Sequence, residues 1–245
     1  LPDPKTILVI PTYNEAENLP QLVSALFLLG IPNFHVLVAD DNSPDGTGRL
    51  ADQLSKAHPG KLTVLHRPAK EGLGRAYLHG FGVALEHGAD AIAQMDADFS
   101  HPLEKIPELI AALQTHDIAL GSRYVEGGSL DDNWPPWRKA LSGFGNFYAR
   151  TILQLPVRDV TGGFRLFRRD TLLGMPLHRV RSNGYVFQVE MLYLAHLCGY
   201  RITEIPIHFS DRKWGESKMS FKIQREAAVR VWQVKWAYRD FKRAG

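Results

Sequence analysis

Short apolar runs alternate with longer segments of helical period through the first half of the chain, and this pattern limits the architectures open to it. Ile7–Ile10, His35–Ala39, Lys61–Leu65, Ala91–Met95 and Ile118–Gly121 are too short for helices and rich in β-branched or aliphatic residues. Between them lie Glu15–Leu29, Thr47–Ala57, Leu73–His87 and Lys105–Gln114. In the first of these, Leu19, Leu22, Val23, Leu26 and Leu29 recur with helical spacing. Strands that alternate with helices predict an α/β fold, a mostly parallel sheet covered on both faces. The second half is less regular. Tyr124–Pro136 reads as a loop, Arg138–Leu153 and Asn183–Cys198 as helices, Arg201–His208 as a strand, and Phe221–Phe241 as a long amphipathic helix. A length of 245 residues suits one α/β domain with additions.

In open parallel sheets, ligands bind beyond the carboxyl ends of the strands. Three of the first four strands run into chemically equipped segments there: Pro11-Thr12-Tyr13-Asn14-Glu15, Asp40-Asp41 and Asp96-Ala97-Asp98. Any one of these could be a strand-stopping turn, since Asp, Asn and Pro serve that purpose. Three on one sheet edge favour a site. In an extended segment Asp96 and Asp98 would face the same side and could share a divalent cation. Carboxylates of this kind suit Mg2+ or Mn2+ carrying a diphosphate, whose charge the cation would neutralise as it leaves.

Other chemistries find less support. There is no G-x-x-x-x-G-K-[ST] loop, no G-x-S-x-G elbow and no H-E-x-x-H. Gly72-Leu73-Gly74 and Gly80-Phe81-Gly82 follow the wrong strand for a dinucleotide fingerprint and read as packing glycines. His101 reads as a turn residue. The single cysteine, Cys198, excludes an intrachain disulfide and a cysteine-based zinc site, and fits a reducing compartment. No apolar run reaches the ~18–20 residues needed to span a bilayer.

The net charge of +3 is unevenly placed. Residues 211–245 carry 10 basic and 4 acidic side chains, against 19 and 22 before them. A basic end suggests an anionic partner. No nucleic-acid-binding motif accompanies it, so a nucleic acid is not the expected partner.

Taken together, Val9-Ile10-Pro11-Thr12-Tyr13-Asn14-Glu15, Ala39 through Thr47, and Met95 through Pro102 resemble family 2 glycosyltransferases of the GT-A fold. Gly121-Ser122-Arg123-Tyr124, Trp137-Arg138, Thr161-Gly162-Gly163-Phe164-Arg165, and Asp211-Arg212 with Gly215-x-Ser217-Lys218 extend the resemblance to the dolichol- or polyprenol-phosphate mannose synthase branch, over about residues 5 to 222. The resemblance implies a GT-A domain over 1–221 and a C-terminal amphipathic helix over 222–245.

It also implies roles. Pro11, Tyr13 and Glu15 would line the nucleoside pocket, with Ala39 and Asp41 at the base. Asp96, Ala97 and Asp98 would meet ribose, diphosphate and metal. Ser100 stands where some relatives carry a metal-ligating Gln, and its shorter side chain leaves room for an intervening water. Arg123 and Arg138 would hold the acceptor phosphate, and Arg212 and Lys218 would close over the donor diphosphate. Asp98, Arg123 and Arg212 are the catalytic set. The implied reaction moves mannose from GDP-mannose to a polyprenyl monophosphate, with UDP-glucose or another nucleotide sugar as the alternative donor. A non-catalytic nucleotide-sugar-binding scaffold is the reading from another class. A phosphate monoester is already anionic at neutral pH, so it needs clamps rather than a general base. A single displacement inverts the anomeric carbon.

The lipid acceptor implies a peripheral enzyme at the cytoplasmic face of a membrane, with room for a separate membrane domain or subunit. Two segments fit membrane contact. One is Trp134-Pro135-Pro136-Trp137. The other is the last helix, with Ile223, Ala227, Val231, Val234, Tyr238 and Phe241 on one stripe and Trp232 and Trp236 near Lys235 and Arg239. The same stripe would equally serve a helix docked on its own domain.

Overall fold

The computed structural model describes residues 3–211 and 221–241. The chain runs β1 (Thr6–Thr12), α1 (Leu19–Leu28), β2 (Phe34–Asp40), α2 (Thr47–Ala57), β3 (Leu62–His66), α3 (Leu73–Glu86), β4 (Ala91–Gln94), α4 (Ile106–Ala112) and β5 (Ile118–Ser122). It continues through β6 (Ser129–Leu130), α5 (Pro136–Leu153), β7 (Arg165–Arg168), α6 (Arg169–Gly174), α7 (Tyr185–Leu197), β8 (Ile202–Pro206), β9 (His208–Phe209) and α8 (Phe221–Ala237).

The expected α/β sheet is present, with seven strands in the order β3-β2-β1-β4-β7-β5-β8. It is not uniformly parallel. β7 enters between β4 and β5 and runs antiparallel to both. Four residues flanked by arginines, Arg165-Leu166-Phe167-Arg168, are too few and too polar at the ends to read as a central strand. Their partners lie dozens of residues away, and Arg165 is wholly buried by contacts that local pattern does not reveal. A second small sheet pairs β6, inside the segment expected to be loop, with β9.

Strand order reverses between β1 and β4, so this is the topological switch point where a crevice opens in such sheets. The carboxyl ends of β2, β1 and β4 lie side by side, bringing the three strand-end segments onto one edge. α1 begins at Leu19, later than the periodicity suggests, because Glu15–Asn18 form the turn that leads into it.

Each sheet face is covered. Leu8, Ile10, Val36 and Val38 pack with Leu19, Leu22, Leu26, Ile106 and Leu109 on one side. Ile7, Val9 and Ile92 pack with Tyr77, Phe81, Phe187 and Leu192 on the other. Gly80 allows α3 to approach the sheet, since a Cβ there would lie 2.3 Å from the Val9 side chain. α8 closes the second layer through buried Val231, Val234 and Tyr238. The described part of the apolar stripe therefore faces the domain itself.

Candidate active site

The loop after β1 is built by its neighbour. Asp40 accepts hydrogen bonds from Thr12 Oγ1 (3.0 Å), Ser43 N (3.1 Å) and Ser43 Oγ (2.6 Å). Ser43 Oγ and Thr47 Oγ1 accept in turn from the backbone of Asn14 and Glu15. Asp45 accepts from Ala16 N. These polar side chains hold two loops in register and serve as turn formers. Asn14 and Asn42 take the left-handed backbone conformation that asparagine tolerates better than most residues.

The neighbouring Asp41 has a different environment. It is buried and ion-paired with buried Arg67, whose Nη2 also donates to Glu71 Oε2 (2.8 Å). Burial pushes the Asp41 carboxyl above its ordinary value, and the Arg67 charge offsets this only in part. Ala39 is fully buried below it. Tyr13 is half-buried, and Lys70 Nζ lies 3.6 Å from its ring centroid. Pro11 and Glu15 are half-buried on the same edge, and Glu15 accepts from Asn18 Nδ2 at 2.7 Å. Arg67, Glu71 and Lys70 escaped the sequence reading, because they come from the strand-end segment after β3 that carries no acidic motif.

β4 ends at Gln94, so Asp96 and Asp98 lie beyond the strand in a bend and not in an extended stretch. Phe99 adopts a left-handed backbone (φ 60°), uncommon for a bulky residue, which folds Ser100 back onto Asp98. Asp98 Oδ1 accepts from Ser100 N (3.1 Å) and Ser100 Oγ (2.5 Å). Ser100 thus holds Asp98, and Ala97 is buried between the two carboxylates. Asp96 is half-buried and accepts from Tyr77 Oη at 3.1 Å. His101, expected at a turn surface, is buried instead. It stacks on Phe164 (5.1 Å between centroids), and its Nε2 is 3.8 Å from Asp96 Oδ2.

The two acceptor-clamp candidates come together across Phe209. Arg123 forms a two-pronged pair with fully buried Asp159, Nε to Oδ2 and Nη2 to Oδ1, both 2.7 Å. Nη2 also donates to Thr161 Oγ1 (2.8 Å). Burial alone would raise the Asp159 carboxyl, but the Arg123 charge and hydrogen bonds bring it below its ordinary value. These bonds use Nε and Nη2 of the guanidinium. The Arg123 guanidinium lies 5.2 Å from the Phe209 ring centroid. Trp134 meets that ring edge-on and supports Arg138, whose guanidinium stacks 3.6 Å from the indole. Arg138 Nη1 also reaches Asp211 (3.3 Å). Arg165 contributes structure: buried, it donates to the carbonyls of Gln188 and Val160 and fixes the 160–164 turn. Arg212 and Lys218 lie outside the described residues.

The strand ends thus carry acidic side chains at the topological switch point, and two arginines are held around Phe209. The family model for glycosyl transferase family 2 matches residues 7–173. The chain belongs to that family. Among curated proteins, this transferase is 44% identical over 239 residues to a polyprenol monophosphomannose synthase from Mycolicibacterium smegmatis, covering 97% of this chain and 89% of that one. It is 46% identical over 227 residues to an undecaprenyl-phosphate mannosyltransferase from Micrococcus luteus, covering 93% and 92%. Two solved structures share its fold. One is a mannosyltransferase from Pyrobaculum calidifontis in complex with GDP-mannose and Mn2+ (TM-score 0.65, 18% identity, 98% of this chain and 66% of that one). The other is glucosyl-3-phosphoglycerate synthase from Mycobacterium tuberculosis with Mn2+ and UDP (TM-score 0.64, 15% identity, 99% and 82%). The transferase thus has the GT-A type of architecture expected of it.

Asp96 and Asp98 fit a hard divalent cation. Two carboxylates supply oxygen ligands, and Mg2+ or Mn2+ commonly completes its shell with substrate phosphates and water. Among the described residues no group of three His, Cys, Asp or Glu side chains converges to hold a metal by itself. An ion held there would take its remaining ligands from elsewhere, such as substrate phosphate or water.

Proposed function

We propose that the transferase moves mannose from GDP-mannose to a polyprenyl monophosphate, with inversion at the anomeric carbon. The observation that carries the acceptor class is the pair of arginines fixed around Phe209, Arg123 by Asp159 and Arg138 by Trp134. Guanidinium forks suit a phosphate, and two anions must be held together for an in-line attack. The names of the two curated relatives supply the same acceptor chemistry.

In this reading Tyr13 and Asp41 hold the base, while Pro11, Glu15 and Ala39 shape the nucleoside pocket. Ala97 borders the ribose. Asp96 and Asp98, the latter positioned by Ser100, hold Mg2+ or Mn2+, which supplies charge neutralisation for the leaving diphosphate when bound. Arg212 and Lys218, outside the described residues, are assigned to the same diphosphate on the family resemblance. The acceptor phosphate oxygen attacks the anomeric carbon, the bond to the donor diphosphate breaks, and GDP departs with the electron pair. The incoming phosphate monoester needs no proton removed. A donor panel with one polyprenyl phosphate tests the reading. GDP-mannose should be the preferred substrate and the product β-linked. Preference for UDP-glucose, or an α-linked product, would overturn it.

Of the two placements open to the α8 stripe, docking on its own domain agrees with the burial of Val231, Val234 and Tyr238, so the proposed membrane contact falls to other residues. Among the described residues no helix is long and apolar enough to cross a membrane. Val231, Val234 and Tyr238 are buried in the domain, whereas Trp232 and Trp236 point outward, the latter 68% exposed. Trp232 Nε1 donates to Tyr148 Oη (3.0 Å), and Tyr148 stacks with exposed Phe144. Phe147 and Trp137 are also exposed on α5, and Trp137 adjoins the Arg138 clamp. This outward aromatic face of α5 and α8 suits the headgroup region of a cytoplasmic membrane surface, where it would put the acceptor clamp near lipid phosphate.

A further inference from the structure

We propose that Tyr77 and His101 are positioning residues that hold the Asp96 carboxylate from its two oxygens and thereby set the affinity of the site for its divalent cation. Tyr77 is fully buried in α3, its ring stacked between Phe81 and Phe187, and its hydroxyl donates to Asp96 Oδ1 at 3.1 Å. His101 is 4% exposed, held against Phe164 and edge-on to Phe209. Among the described residues neither ring nitrogen of His101 has a hydrogen-bond partner, an unusual state for a buried imidazole. Nε2 points at Asp96 Oδ2 from 3.8 Å, so a shift of under about 1 Å closes a hydrogen bond of ordinary length.

The two side chains face different oxygens of Asp96 and are packed against aromatic rings, so together they fix the carboxylate plane. His101 acts on the carboxylate and not on the ion, since Asp96, Asp98 and His101 do not converge as a three-ligand cluster. Groups that orient a ligating carboxylate commonly change metal affinity by roughly 10–100-fold. The Phe209 ring contacts both the His101 imidazole and the Arg123 guanidinium, so one aromatic side chain supports both groups.

The proposal rests on the metal-dependent reading of Asp96 and Asp98. Binding of Mn2+ to the full chain in the presence of GDP, read by the electron paramagnetic resonance signal of free Mn2+, tests both separately. Wild type should bind Mn2+ and Asp98→Ala should not. Tyr77→Phe, which keeps the ring, and His101→Leu should each weaken Mn2+ binding about 10-fold. His101→Gln, which offers an amide donor near the Nε2 position, should recover most of the affinity. At saturating Mn2+ the kcat of Tyr77→Phe should return toward wild type while the Mn2+ requirement stays raised. Unchanged Mn2+ affinity in Tyr77→Phe and His101→Leu, with Asp98→Ala still defective, overturns the positioning role and leaves the metal site standing. If His101→Leu does not fold, Tyr77→Phe and His101→Gln decide: Mn2+ affinity unchanged in Tyr77→Phe overturns the role. Equal binding by wild type and Asp98→Ala overturns the metal reading and this inference with it.

Discussion

Arg123 and Asp159 form a buried two-pronged ion pair in which the aspartate also accepts from the backbone N–H of Arg123 and of Gly162. The pair ties the end of β5 to the 160–164 turn and orients the guanidinium toward Phe209. Asp159→Asn leaves a buried cation without its partner, so a loss of about 3–5 kcal/mol is expected in urea unfolding. The Asp159 carboxyl lies below its ordinary value because the Arg123 charge and the hydrogen bonds it receives together outweigh the burial penalty. Its stabilisation is therefore fully present above the unfolded value near ~3.9, and is lost as pH falls through the lower folded value. Unfolding measured from pH 6 to acid should show this loss in wild type and not in the variant.

Arg138 depends on Trp134 for its direction, since the guanidinium lies flat on the indole. Lysine cannot reproduce that planar stack or a fork toward phosphate. Arg138→Lys should raise KM for the lipid phosphate about 10-fold, equivalent to ~1.4 kcal/mol, with KM for the nucleotide sugar unchanged. Steady-state kinetics with each substrate varied in turn separates the two. Equal effects on both would remove Arg138 from the acceptor side.

Asp41 carries a pH signature on donor binding. Burial raises its carboxyl above the usual range, with Arg67 opposing. If the ionised form accepts from the base, GDP affinity should fall as pH drops through a range above ~3.9, higher than for an ordinary aspartate. Asp41→Asn should weaken GDP binding by roughly 10–100-fold at neutral pH and flatten that acid limb, as calorimetry from pH 7 to 4.5 would show.

Trp232→Ser with Trp236→Ser should weaken flotation with anionic liposomes while leaving the melting temperature nearly unchanged, because both indoles are exposed. Tyr238→Phe serves as the opposite control. It removes the bond from Tyr238 Oη to buried Glu190 (3.0 Å), an acceptor that also receives the backbone N–H of Arg181 and Ser182. A loss of about 1 kcal/mol in stability is expected, with flotation retained.

The strand-end segments were readable from sequence because their signals are local. A short apolar run followed by Asp, Asn or Pro carries its meaning within a few residues, and chain order implies that such ends share one edge of a parallel sheet. The segments that hold Pro11, Tyr13, Glu15, Asp41, Asp96 and Asp98 are legible in this way, while the roles of single residues within them come from the family resemblance. The parts played by Tyr77 and His101 are not legible from local signals. Tyr77 reads as one more apolar position on α3, and its hydroxyl meets Asp96 only through packing across 19 residues. Arg67 was missed for a related reason: its charge is spent inside the protein on Asp41, from 26 residues away.

Alternation of strand and helix was enough to determine an α/β sheet with a strand-end site, because periodicity and turn chemistry are properties of neighbouring residues. Tertiary contacts decided what neighbouring residues cannot specify. They inserted β7 antiparallel into the sheet, through pairing with β4 and β5. They brought Arg123 and Arg138 around Phe209. They also turned the described apolar stripe of α8 inward, where Val231, Val234 and Tyr238 found a complementary surface, and so left the tryptophans facing out. An amphipathic period shows that a helix has an apolar face; what covers that face depends on which surface the rest of the chain presents to it.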